Sequence, residues 1–218
     1  MKVFSFCLYG NRDKYCLGIL ENLKLIRENF PSWSTFVYHA ADVPQTILTR
    51  IQEFPRVFLK PTGVYGPINM IHRFFAIDED AVDTMVVRDA DSRIHARDRW
   101  TINEWLKSEK KAHIVRDHML HNAYIMGGVW GLKKGLLIQT ITNLFEAYKS
   151  QHRNEHGADQ HFLARVIYPL ICNDALYHSR MQLAAHEEIV QIPFPLENGE
   201  FIGQVVEYPN GIPVPTME

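Results

Sequence analysis

The chain has 218 residues, 46% hydrophobic and 22% charged, and 23 Lys and Arg stand against 25 Asp and Glu for a net charge of -2. That length supports one sizeable core. The near balance of charge excludes a global attraction to nucleic acid or to membrane surfaces, so any phosphate site has to be local. Three cysteines (Cys7, Cys16, Cys172) make neither a disulfide framework nor a CxxC metal site, and a reducing, cytoplasmic setting is expected. No apolar run is long enough to span a bilayer. The start of the chain lacks a signal-cleavage pattern.

In chain order, residues 3–8 read as a strand ended by the turn Tyr9-Gly10-Asn11. Leu17, Leu20, Leu23 and Ile26 recur at helical spacing over 13–30, and Pro31 stops that helix. A second strand (TFVYH), a helix over 44–53 and a weak third strand at 56–59 follow. Gly63 to Gly66 reads as a loop. Pro67 then suits the first turn of a helix that carries Ile68, Ile71, Phe74 and Phe75 on one side. A fourth strand is predicted at 83–88, a helix around Trp100 and Trp105, a strand at 113–116, and an extended run at 124–130 broken by paired glycines. Leu137, Ile141, Leu144, Phe145 and Tyr148 line a further helix, and Phe162, Leu163, Val166 and Ile167 another. After Pro193 a Pro- and Gly-rich tail holds at most a small hairpin. Strands alternating with helices predict an α/β fold with a mostly parallel sheet, helices on both faces, and ligands beyond the carboxyl ends of the strands.

One such end carries the chemistry. The stretch TMVVRDADSRIHARD runs from an apolar strand straight into Asp89 and Asp91. Residues i and i+2 of an extended backbone share a side, so the two carboxylates can face one cation while Ala90 turns away. Hard oxygen ligands suit Mg²⁺ or Mn²⁺, ions commonly shared with substrate phosphates. Arg88 and Arg93 beside them are candidate phosphate donors. The bland alternative is a polar turn with a helix N-cap at Asp91 or Ser92. A D-x-D pattern alone is weak, as a second copy, Asp78-Glu79-Asp80, makes plain. That copy precedes its strand and reads as a solvated loop.

A strand ending in D-x-D resembles the GT-A glycosyltransferases. The ordered blocks RFFAIDEDAVDTMVVRDADSRIHARD, NEWLKS, HIVRDH, IMGGVWG, ADQHFLARVIYPL and LYHSR are similar to a group of small GT-A-like proteins of bacteria and large viruses, capsid-glycosylating domains of algal viruses among them. The resemblance covers residues 3 to about 178. It implies a nucleotide-binding half over 1–92, a donor-sugar and acceptor half over 93–192, and a tail over 193–218. It implies Mn²⁺ or Mg²⁺ on Asp91, with Asp89 touching ribose or binding through water, and His178 completing the shell. Ser179 stands where the family more often has an acidic residue, so His186 is the fallback ligand. It places nucleotide at Leu8, Tyr9 and Gly10, diphosphate at Arg73 (or Arg73 is a plain surface charge), and donor sugar over Gly127 and Gly128 (or these form a β-bulge). Arg88 and Ala90 join the donor-binding set. Asp159 resembles the acidic residue near the anomeric carbon, a helix N-cap being its alternative, and Asp117 is a second candidate on the acceptor side.

The implied reaction moves a sugar from a nucleotide diphosphate sugar to a hydroxyl on a glycan or glycoprotein. A UDP-sugar is the default donor, with UDP-glucose as the starting guess. A sugar-nucleotide pyrophosphorylase needs a glycine-rich basic loop after the first strand, for which Tyr9-Gly10-Asn11-Arg12 is too poor in glycine. A dehalogenase-type phosphatase carries D-x-D on its first strand, not near mid-chain. A sugar-binding relic of the fold is the non-enzyme alternative.

Overall fold

Residues 1–149, 157–196 and 199–216 are described by the computed structural model. Strand β1 (Lys2–Leu8) sets the layering. Val3 and Cys7 turn to one face, and Phe4, Phe6 and Leu8 to the other, each 3% exposed or less. Alternation along one strand thus feeds two cores. Helices α1 (Asp13–Asn29), α2 (Gln45–Gln52) and α3 (Ala96–Lys107) cover the phenylalanine face. The other face is covered by a 3₁₀ segment (Pro67–Asp78), α4 (Ile141–Lys149), α5 (Ala158–Phe162) and α6 (Tyr168–Ile171), the last two joined through a π-helical turn (Leu163–Ile167).

The strands between them are β2 (Ser34–His39), β3 (Val57–Pro61), β4 (Thr84–Arg88), β5 (Ala112–Arg116), β6 (Val129–Lys133), β7 (Ala175–Ser179) and β8 (Ile189–Val190). All eight join one sheet in the order β3-β2-β1-β4-β6-β5-β7-β8. Every pairing is parallel except those of β6, which runs against both β4 and β5. From β1 the chain steps outward to β2 and β3, then returns to lay β4 on β1's other side. The crevice beyond the carboxyl ends of β1 and β4 is therefore a topological switch point, where sheets of this kind bind ligands. A short hairpin, β9 (Val206–Glu207) with β10 (Val214–Pro215), lies at the end of the chain.

The expected elements are present with local differences that have causes. The segment after Pro67 is 3₁₀ rather than α. Two small polar side chains of β1 take its carbonyls: Ser5 Oγ donates to Arg73 O (2.6 Å) and Cys7 Sγ to Asn69 O (3.1 Å), so those oxygens are drawn from the helical ladder. The run 124–130 is not extended throughout. It turns until β6 starts at Val129, because Gln160 Oε1 holds Gly127 N at 3.0 Å. Neither Asp91 nor Ser92 caps α3. The helix starts later, and His95 Nδ1 accepts from Arg97 N (3.3 Å). Asp78 of the second D-x-D is not simply solvated either. Its carboxylate takes the backbone N–H groups of Ile141 (2.9 Å) and Thr142 (2.8 Å) at the start of α4.

Candidate active site

Beyond β1 and β4 lies a cleft of about 390 Å³, inside the roughly 300–1,000 Å³ range usual for small-molecule sites. Tyr9 and Tyr15 form one wall, and their rings stack at 6.3 Å between centroids. Asp89, Asp91, Arg73, Asp159, Gly127, Gly128, His121 and Gly203 line the rest. Of the residues expected at the site, the fold thus gathers Tyr9, Arg73, Asp89, Asp91, Gly127, Gly128 and Asp159. Gly10 follows directly with φ +70°, the left-handed region that glycine enters without penalty.

Arg73 is the hub. Its side chain is 2% exposed, so it is no surface charge; the guanidinium joins Asp89 on one side and Asp159 (2.9 Å) on the other. Burial works against its charge, but the two carboxylates outweigh burial and hold Arg73 above the ordinary guanidinium value. Asp159 does not cap its helix, since Gly157 occupies the N-cap position and the Asp159 carboxylate turns to Arg73. Gly128 makes room for Asp89: a Cβ there would stand 1.8 Å from Asp89 Oδ2, so any other residue would expel the carboxylate.

Asp91 is differently placed. Its Oδ2 lies 3.3 Å from Lys14 Nζ, which also reaches Glu207 Oε1 at 2.9 Å. Its carbonyl accepts Val206 N at 2.7 Å, so the terminal hairpin is pinned onto the D-x-D turn. Burial first and the charge of Asp89 second push the Asp91 carboxyl up to about 6, against the pull of Lys14. Burial, then Asp159, likewise raises Tyr9.

Several expected residues stand elsewhere. The Leu8 side chain is buried beneath α1 (Asn69 Nδ2 bonds its carbonyl at 2.9 Å), and Ala90 turns its methyl into the same core and its carbonyl to Asn22 Nδ2 (3.2 Å). Arg88 follows strand alternation to the α3 face and pairs with buried Asp98 at 2.8 Å. Arg93 binds the Tyr208 hydroxyl and the carbonyl of Ser92 (2.6 Å). Asp117 is 1% exposed and is gripped by Arg97 through two hydrogen bonds, with Ile202 N adding a third at 3.1 Å. Such a carboxylate is occupied as a structural counter-ion. His178 is fully buried on β7, its Nδ1 2.9 Å from His113 Nε2 and its ring against Trp100; burial drives it down to about 4. His178 and Asp117 line a larger cavity, about 620 Å³, that shares no lining residue with the cleft. His186 reaches Tyr168 Oη at 3.3 Å, also outside the cleft. The histidine that does face the cleft is His121. Burial lowers it to about 4, and Nδ1 has no partner among the described residues, so the ring is a neutral imidazole. Lys14, His121, Gln160 and Glu207 carry no sequence signal of their own; only the fold brings them together.

The donor set suits a divalent cation on grounds of charge. Three carboxylates (Asp89, Asp91, Asp159) line the cleft against one lining cation, Arg73, while Lys14 touches Asp91 from the edge and is shared with Glu207, 46% exposed. Hard oxygens next to a neutral imidazole match Mn²⁺ or Mg²⁺. Among the described residues no three His, Cys, Asp or Glu side chains already converge as a metal cluster.

No protein-family model matches the chain, and no curated protein does. Solved structures do. The galactosyltransferase LgtC, in complex with donor and acceptor sugar analogs, is similar with a TM-score of 0.55 and 13% identity over 82% of this chain and 73% of that one. A glycosyltransferase involved in glycosylation of the major capsid of PBCV-1 gives 0.54 and 11%, over 84% of each chain. A mannosyltransferase from Pyrobaculum calidifontis, in complex with GDP-Man and Mn²⁺, gives 0.53 and 14%, over 88% of this chain and 56% of that one. At such identities the likeness is one of fold, and the fold is GT-A.

Proposed function

We propose that the chain is a glycosyltransferase that moves a sugar from a nucleotide diphosphate sugar to a hydroxyl of a glycan or glycoprotein acceptor, with a divalent cation. One observation carries the reading. The switch-point cleft is lined by three carboxylates, Asp89, Asp91 and Asp159, against a single lining cation, Arg73, beside an aromatic wall on one side and a floor of two glycines on the other. The solved neighbours of the same fold, bound to sugar analogs or to GDP-Man with Mn²⁺, support the same direction.

In this reading the base stacks at Tyr9 and Tyr15, and Gly10 lets the backbone approach the ribose. Asp91 and Asp89 hold Mn²⁺ or Mg²⁺, with His121 as the third candidate ligand in place of His178. When bound, the ion neutralises charge that gathers on the departing diphosphate. Arg73 holds Asp89 and Asp159 in place, and a pre-set guanidinium stabilises developing anionic charge at little reorganisation cost. The sugar lies over Gly127 and Gly128, where absent side chains leave room. Asp159 then stabilises the oxocarbenium-like centre or takes the acceptor proton, and the face on which the acceptor attacks decides between inversion and retention. A UDP-sugar is the first donor to try, with UDP-glucose at the head of the panel.

Release of nucleoside diphosphate from a panel of UDP- and GDP-sugars, with Mn²⁺ or with EDTA, tests the proposal. Turnover should need the ion and vanish in Asp91→Asn with the fold retained. Wild-type turnover in EDTA, or in that variant, would overturn it. Tight sugar-nucleotide binding with no release under any acceptor would favour a binding relic instead.

A further inference from the structure

The geometry points to Lys14 as a movable phosphate-binding ammonium, which rests on Asp91 in the structure and passes to the donor's diphosphate when cation and donor bind. This inference rests on the reading of the cleft given above.

Lys14 lies in the first turn of α1, directly after the turn that carries Tyr9 and Gly10 to the cleft. Its side chain is 14% exposed, with Nζ 3.3 Å from Asp91 Oδ2, 2.9 Å from Glu207 Oε1 and 5.1 Å from the Tyr15 ring centroid. The other cation of the cleft, Arg73, is anchored. It is 2% exposed, grips two carboxylates, and gives its own carbonyl to Ser5. Lys14 also touches two carboxylates, but less firmly: its contact to Asp91 is 3.3 Å long, and its shorter one goes to a carboxylate near the surface. An ammonium is a compact charge on a flexible four-carbon stem, with three donors and no required plane, and its second partner, Glu207, is 46% exposed on the terminal hairpin.

The two carboxylates are also where a divalent ion would be held. A cation on Asp91 removes the attraction that keeps Lys14 there and adds repulsion at short range. The negative charge that enters with the ion is the donor's diphosphate, and Lys14, at the cleft's edge with its ammonium 3.3 Å from Asp91, has a flexible stem with which to meet it. Glu207, outside the carboxylate pair, keeps Lys14 at the rim meanwhile. Lys14 therefore competes with the metal when metal is alone and assists binding when the diphosphate is present.

Those two effects have opposite signs, which makes the inference testable without turnover. Mn²⁺ binding alone is read by electron paramagnetic resonance, and UDP binding at saturating Mn²⁺ by calorimetry. Lys14→Met should bind Mn²⁺ more tightly and UDP more weakly, each by about tenfold, the scale of one charge-assisted hydrogen bond. Lys14→Arg should restore UDP affinity. Lys14→Gln removes the charge while leaving a polar amide and carries the same expectation should Lys14→Met fail to fold. Wild-type binding of Mn²⁺ and UDP with both affinities unchanged, or both weakened, in the lysine variants would overturn the role of Lys14 and leave the reading of the cleft intact. A wild-type protein that binds neither Mn²⁺ nor UDP would overturn both.

Discussion

Replacing Asp91 with asparagine should stabilise the protein at neutral pH, and the size of the gain follows from the cleft. Asp91 is 7% exposed, and burial followed by the Asp89 charge lifts its carboxyl to about 6, against about 3.9 in an unfolded chain. The folded state therefore binds the proton more tightly than the unfolded state does. Between those two values it carries more protons, so stability falls as pH rises from about 4 to about 6, and the full penalty remains above that. A difference of about two units corresponds to about 3 kcal/mol at pH 7.5. Asparagine has nearly the same shape and no charge to desolvate, and Lys14 keeps Glu207. The variant should gain about 2 kcal/mol, or roughly 4–8 °C in Tm for a chain of this length. Thermal unfolding of both proteins in a pH series from 4 to 8, in EDTA, measures it. The gap should close near pH 4. Mn²⁺ at pH 7.5 should raise the Tm of the wild type and leave that of the variant almost unmoved. A variant less stable than wild type at pH 7.5, or a gap of equal size at every pH, would refute the argument that Asp91 is a desolvated charge awaiting a cation.

Two further outcomes separate structural from functional roles. Gly128→Ala should displace the Asp89 carboxylate, whose Oδ2 the new Cβ would meet at 1.8 Å; a Mn²⁺ titration should show at least tenfold weaker uptake while circular dichroism stays native, and unchanged uptake would mean Asp89 does not hold the ion. Asp117→Asn should cost about 3 kcal/mol in urea unfolding because Arg97 loses its buried partner, with nucleoside diphosphate release per folded molecule nearly unchanged; a native melting curve with abolished release would instead return Asp117 to the catalytic machinery.

The sheet was legible in the chain because its signals are short-range. Apolar runs at β1, β2, β4 and β5, periodic leucines over α1, and Pro67 after Gly66 all act within a few residues. The carboxylate pair was legible because it follows the apolar β4 run directly, but β4 ends at Arg88, and a turn closed by Ser92 N on Asp89 O (3.3 Å), not strand alternation, presents Asp89 and Asp91 to the cleft. What escaped is long-range. Arg73 was balanced between a surface charge and a diphosphate ligand because helix periodicity says nothing about Asp89, sixteen positions on, or Asp159, eighty-six on. His178 looked apt by its order along the chain, yet β7 lies beyond β6 and β5 from β4 and turns that ring toward α3; among the described residues, the histidine that faces the cleft is His121, in a loop without periodicity. Arg88, the last residue of β4, still follows the pleat and goes to the opposite face, where Asp98 takes it. Charged neighbours of a motif follow the pleat and not the motif.

The reversed strand β6 has a consequence for how such a cleft can vary. Because β6 runs against β4, it is its beginning, not its end, that meets the carboxyl edge of the sheet beside Arg88. The loop leading into it thus arrives at the D-x-D turn from outside, and its last two residues, both glycine, form a bare shelf before the ladder starts. The exposed positions upstream on that loop, Met119, Leu120, Asn122 and Tyr124, can change while buried His121 and Ile125, the register of β6 and the glycine shelf stay where they are.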